Sequence, residues 1–171
     1  SDAGNLVAAD SNGLRDIFVH DRRTGTTQRV SVDGNGNQAL GGHSNGPAIG
    51  GDGRYVAFWS EATNLVPGDT NGVSDAFVHD RQTGTTQRVS VDSNGNQGNG
   101  VSYAQAISSD GRLVLVSSDA SNLVTGDTNG VSDVFLHDRQ TGVTQRVSVS
   151  GTGVQGNGRS PSWSGAWLSG D

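Results

Sequence analysis

Three stretches of this sequence gather oxygen-bearing side chains at one spacing: Asp10, Asn12 and Asp16; Asp69, Asn71 and Asp75; Asp127, Asn129 and Asp133. Each set sits in an Asp-x-Asn-Gly-x-x-Asp frame whose glycine is Gly13, Gly72 or Gly130. Calcium takes about six to eight oxygen ligands. The first, third and seventh positions supply side-chain oxygens, the fifth offers a backbone carbonyl, and the glycine lets the chain fold around an ion. The frame therefore predicts one calcium ion per loop. An Asn-Gly turn whose aspartates accept hydrogen bonds from backbone amides uses the same residue types without any ion. The divergent first copy favours the metal: Thr70, Val73 and Ser74 become Ser11, Leu14 and Arg15 while the Asp, Asn, Gly, Asp frame stays. Three divalent ions would also offset a formal net charge of −6.

His20, His79 and His137 each precede an aspartate, a pairing that invites acid–base chemistry. Neighbouring residues of a strand point to opposite faces, so His79 and Asp80 form no simple dyad. His79 shares a face with Phe77, which predicts packing with one ring nitrogen bonded to a neighbour. His43 is the one unrepeated histidine and is the catalytic candidate, set against a solvated loop histidine. Asp21, Asp80 and Asp138 open Asp-Arg-x-Thr-Gly turns and are expected to accept backbone amides. No Gly-x-Ser-x-Gly elbow, phosphate loop or His-Glu-x-x-His motif occurs.

Composition narrows the partners. There is no cysteine, so any metal must be held by oxygen or by the four histidines. All the basic residues are scattered arginines and the net charge is acidic, which excludes nonspecific nucleic-acid binding. No run approaches the roughly 18 apolar residues of a membrane span. With Gly 27 and an apolar fraction of 31%, the core must come from short strands bounded by Gly, Asn and Asp clusters.

Those strands recur. Asp16–Asp21, Asp75–Asp80 and Asp133–Asp138 are variants of one Asp-x-Phe-x-His-Asp segment, and 64–91 matches 122–149 except at Pro67/Thr125, Ala76/Val134, Val78/Leu136 and Thr85/Val143. One period predicts four strands: around 47–49, at 54–60, at 75–80 and at 85–91. The second is apolar on both faces and must be covered on both sides. In the fourth, Gln87, Val89 and Val91 share one face and Thr86, Arg88 and Ser90 the other, the half-solvated alternation of an outer edge. Four strands with inner members buried on both faces, repeated in tandem, describe propeller blades. A parallel β-helix, the competing repeat fold, has shorter coils and lacks hairpins such as the one at Gly84.

The segments Asp110–Ser117 and Asp133–Gly142 resemble the TolB-type propeller repeat over nearly the whole chain, and the Asp-Asn-Gly-Asp loop resembles a shortened form of the calcium loop in integrin-type FG-GAP repeats. The first resemblance implies an all-β propeller of four-stranded antiparallel blades, commonly six-bladed, in periplasmic or secreted bacterial proteins. It implies no single activity.

The leading functional expectation is a calcium-binding, noncatalytic binding or interaction scaffold. A metal-dependent hydrolase of esters, lactones or phosphotriesters, with calcium in the channel, is the second reading, and whether the chain is an enzyme stays open. A carbohydrate-binding propeller is the third; it calls for exposed aromatics in every repeat, whereas Trp59, Trp163 and Trp167 are irregularly spaced. The whole chain, 1–171, reads as one half-propeller domain with repeats at 1–43, 44–101 and 102–159. Strands at 160–164 and 166–169 are expected to complete the first blade of a partner, giving a six-bladed homodimer.

Overall fold

The computed structural model describes residues 1–160 and 168. The regular structure among them is ten β-strands, with no helix. β1 (Phe18–Asp21) and β2 (Thr26–Arg29) form a two-stranded sheet. β3 (Ser44–Ile49), β4 (Tyr55–Ser60), β5 (Asp75–Asp80) and β6 (Thr85–Arg88) form one four-stranded sheet in that order. β7 (Ser102–Ile107), β8 (Leu113–Ser118), β9 (Asp133–Asp138) and β10 (Thr144–Arg146) form another. Every pairing is antiparallel, and the two four-stranded sheets are stacked propeller blades. The inner and second strands expected at 160–164 and 166–169, with Trp163 and Trp167, lie outside the described residues apart from Ser160 and Leu168.

Alternation along β4 builds the stack. Val56 and Phe58 point into one apolar cluster with Ile17, Val30, Leu65 and Phe77, between the β1–β2 sheet and the first full blade. Ala57 points the other way, into a cluster with Ala76, Val78, Val89, Ala104, Val114 and Val116, between the two full blades. A strand that faces two neighbours has no solvent side, which is why it carries no charge between Val56 and Trp59. The Phe58 and Phe77 rings stack at 5.9 Å. Fully burying such side chains contributes about 1.5–3 kcal/mol each.

The hairpins turn where glycine is placed. Gly84, at φ 75°, donates its N–H to Asp80 O at 2.8 Å and so closes the β5–β6 turn. At the joint between the full blades the Tyr55 ring lies flat against Gly111, where a Cβ would come within 2.0 Å of Tyr55 Cδ2. The Arg54 and Arg139 guanidiniums each stand 4.7 Å from the centre of that ring.

The outer strand is shorter than the sequence expectation but keeps the expected half-solvated alternation. β6 ends at Arg88, and beyond it an isolated bridge joins Val91 to Gln97. Thr85 and Gln87 are exposed, while Thr86, Arg88 and Ser90 turn inward to polar partners.

Candidate functional site: the Asp-Asn-Asp loops and the inner cleft

The second and third loops lie between the second and third strands of their blades, β4–β5 and β8–β9, and the first loop leads into β1. In the second copy Asn71 Oδ1 accepts from Val73 N at 3.1 Å, an Asx turn, while Asn71 Nδ2 donates to Asp75 Oδ2 at 3.2 Å and to Gly98 O at 2.9 Å. The backbone thus brings Asp69, Asn71 and Asp75 together, as the frame predicts. The first and third copies repeat this with Asn12 and Asp16, and with Asn129 and Asp133.

Three further residues, which the sequence reading missed, complete each loop. Arg88, from the outer strand, sets Nη1 3.5 Å from both Asp69 Oδ1 and Asp75 Oδ2. Gln97 Nε2 donates to the same two oxygens at 2.9 and 2.8 Å, and Ser90 Oγ donates to Asp75 Oδ1 at 2.6 Å. In the third loop Arg146 lies 3.2 Å from Asp127 and 3.4 Å from Asp133, with Gln155 and Ser148 in the matching places. In the first, Arg29 lies 3.2 Å from Asp10 and 3.7 Å from Asp16, Ser31 donates to Asp16, and Gln38 bonds Ser11 instead. A signal for these partners was present: arginine, serine and glutamine follow the last aspartate by the same intervals in all three copies.

The residues do not fit a calcium ion in this arrangement. The oxygens that would bind it already face N–H and O–H donors, and a guanidinium bridges the two carboxylates. A divalent ion would have to displace that buried arginine. Among the described residues no group of three or more His, Cys, Asp or Glu gathers as a metal site. Burial pushes Asp69 above the ordinary carboxylate value, against the bond from Gln97. For Asp133 burial acts the same way, but hydrogen bonds from Ser148, Asn129 and Gln155 and the charge of Arg146 outweigh it, and its pKa falls.

The histidines are joined to the blade stack. His79 Nδ1 lies 2.9 Å from Thr86 Oγ1, and Thr86 donates its hydroxyl hydrogen to Val32 O of the preceding repeat. The hydroxyl has one proton, so His79 must be the donor at Nδ1, which fixes the tautomer. His137, Thr144 and Val91 O repeat the chain. In both rings Nε2 is buried and has no hydrogen-bond partner. Burial lowers the pKa of both.

His43 is exposed, and its Nδ1 accepts from Arg15 N at 2.9 Å. That bond occupies the Nδ1 lone pair, and the Arg15 side chain turns away to Asp2 and Asn45. Asp80 accepts Gln82 N at 2.9 Å, as its turn position predicts, and also a bidentate bond from Arg54 at 2.8 and 2.6 Å. That guanidinium holds Asp80 well below the usual carboxylate range, and Arg112 does the same for Asp138.

A separate cleft of about 700 Å³ opens beside the inner strands of the two full blades, lined by Trp59, Tyr103, Gln105, Asp119, Ser132 and Arg159 among others. The Trp59 and Tyr103 rings meet edge to face at 5.0 Å. Gly46 admits the indole, since a Cβ there would come within 2.5 Å of Trp59 Nε1. Asp119 and Arg159, both in the lining, approach to 3.7 Å. The two aromatics occupy different positions in their repeats, so a search for one aromatic per repeat passes over them.

No family model and no curated protein matches the chain. Among solved structures it is similar to TolB from Acinetobacter baumannii, at 21% identity and a TM-score of 0.48, over 81% of this chain and 27% of that one. It is similar also to a candidate TolB from Agrobacterium tumefaciens, at 18% identity and a TM-score of 0.46, over 77% of this chain and 40% of that one. The chain thus spans less than half the length of either. No helix among the described residues is long and apolar enough to cross a membrane.

Proposed function

We propose that the chain is a noncatalytic binding scaffold of propeller blades, whose loops are closed by arginine and whose inner cleft receives the ligand. The observation that carries this reading is how the reactive side chains are used. The loop aspartates are bonded by Arg88, Gln97 and Ser90, and the buried histidines by threonine. The cleft, by contrast, is lined by the partly exposed Trp59, Tyr103 and Gln105.

The Trp59–Tyr103 pair favours a neutral sugar within this reading, because an aromatic wall suits a C–H face while Gln105 and Asp119 suit hydroxyls. A periplasmic or secreted setting accompanies it by resemblance. The test is titration with gluco- and chito-oligosaccharides, following Trp59 fluorescence in a W163F/W167F background. Saturable quenching lost in Tyr103→Ala supports a sugar site; no change with any of the sugars sinks it.

The calcium expectation is tested separately. Chelator is expected to leave the melting temperature unchanged and calcium to bind no loop. A chelator-sensitive melting curve would restore calcium in place of the arginine.

A further inference from the structure

The chain builds the same blade-to-blade joint twice. At the first, Thr86 of β6 donates to Val32 O, and Arg81 donates from Nε to Gln28 Oε1 at 3.0 Å. At the second, Thr144 donates to Val91 O at 2.6 Å and Arg139 to Gln87 Oε1 at 3.1 Å. Each blade thus offers a glutamine amide and a valine carbonyl to the next, and receives with a threonine and an arginine.

Among the described residues, the outermost faces of the first sheet and of the last blade carry the unmatched halves. On the far side of the last blade stand Gln145 and Val149, the counterparts of Gln87 and Val91. On the near side of the β1–β2 sheet stand Arg22 and Thr27, the counterparts of Arg81 and Thr86, with His20 Nδ1 already 2.9 Å from Thr27 Oγ1. Apolar exposure marks the same faces. Val89 is 1% exposed and Val91 9%, yet Val147 and Val149 at the matching positions are 40% and 41% exposed. His79 and His137 are buried, whereas His20 is exposed. Covering two such valines and a histidine is the gain that both internal joints already collect.

We propose that these two faces dock on each other between two copies of this chain, Gln145 and Val149 of one copy receiving Arg22 and Thr27 of the other. The occupant is a second copy because the faces are complementary group by group, in the pattern of the internal joints. The backbone agrees. Ser44 N donates to Arg15 O at 2.8 Å and Ser102 N to Ser74 O at 2.8 Å, each at the start of an inner strand, and Ser160 N donates to Ser132 O at 2.9 Å. At Ser160 the chain is therefore again in position to enter a blade, and β1–β2 of a second copy offers the third and fourth strands of one.

The experiment is sedimentation velocity on the 171-residue chain from about 1 to 100 µM, with circular dichroism on each sample to confirm folded sheet. The expected result is a reversible mass of at least two chains. Arg22→Glu and Gln145→Arg, singly, are expected to weaken association at least tenfold. The two together in one chain are expected to restore it, since each contact then pairs the introduced carboxylate of one copy with the introduced guanidinium of the other. Thr27→Val, a milder change, is expected to weaken it about fivefold. A folded wild type that stays monomeric throughout, or association that none of these substitutions alters, overturns the proposal.

Discussion

The two full blades are close to copies of each other in their outer halves and unlike in their inner halves. From 64–91 to 122–149 only four positions differ, whereas between 44–60 and 102–118 just Ser44, Ala48, Ile49, Asp52, Gly53, Arg54, Val56 and Ser60 keep their counterparts. The outer halves hold the arginine-closed loops and the histidine–threonine chain, a set of bonds that serves any blade. The inner halves hold Trp59, Tyr103, Gly46 and Gln105, which line the cleft, and Tyr55, Gly50 and Gly51, which pack at one joint. Frame chemistry is repeated and recognition chemistry is not, so the contrast makes a division of labour testable.

The strongest test removes the loop cation. Arg88→Ala leaves Asp69 and Asp75 buried without their counter-charge, and a loss of about 3–5 kcal/mol is expected by urea denaturation. If the loop takes calcium instead, added calcium will recover that loss in the variant, and the frame reading must then include a metal. Next in size is Thr86→Val, which strands Val32 O and His79 Nδ1–H. It is expected to cost about 1–3 kcal/mol by the same assay.

Acid should act on the frame through His79 and His137. Their folded pKa values lie below the ordinary value of 6.5, so the unfolded chain binds protons first. Their contribution is complete above about pH 7 and declines as the pH falls through 6.5. In thermal scans from pH 7.5 to 5, the double variant His79→Asn with His137→Asn is expected to flatten that decline, since an amide keeps the bond to threonine without titrating. Asp80 and Asp138 act lower. Their pKa values are depressed by Arg54 and Arg112, so their contribution is present above about pH 4 and is lost as the pH falls below 3.8 towards the folded values.

The smallest expected effect on stability is that of Trp59→Ala, within about 1 kcal/mol, because the ring is only half-buried at the cleft. Loss of stability as large as that of Arg88→Ala would erase the distinction between frame and recognition surface.

Much of the frame was legible from local pattern. The run Tyr55–Ser60, apolar on both faces, required neighbours on both sides, and the two clusters that divide Val56 and Phe58 from Ala57 supply them. The turns at Gly84 and Gly142 followed from short polar hairpins. The loop partners were not legible from the loop itself, because an Asx turn with two aspartates has one local appearance whether its counter-charge is an ion or a distant guanidinium. Alternation assigned Arg88 to a face but could not tell that the loop of the same blade folds over that face. The cleft was hidden for a different reason: Trp59 and Tyr103 meet only when two blades stack at one register.

The packing of Tyr55 on Gly111 has a consequence for how the chain finds its fold. Near-identical repeats are prone to pair with the wrong neighbour during synthesis and refolding. Leu113 stands in the last blade where Tyr55 stands in the one before, so the two full blades differ in the aromatic ring that meets Arg54 and Arg139. A side chain at position 111 would collide with that ring, and a blade presenting Leu113 instead would leave Arg139 without it. A mispaired blade forfeits the Tyr55 contact with Arg139, so this joint favours one order of otherwise similar blades.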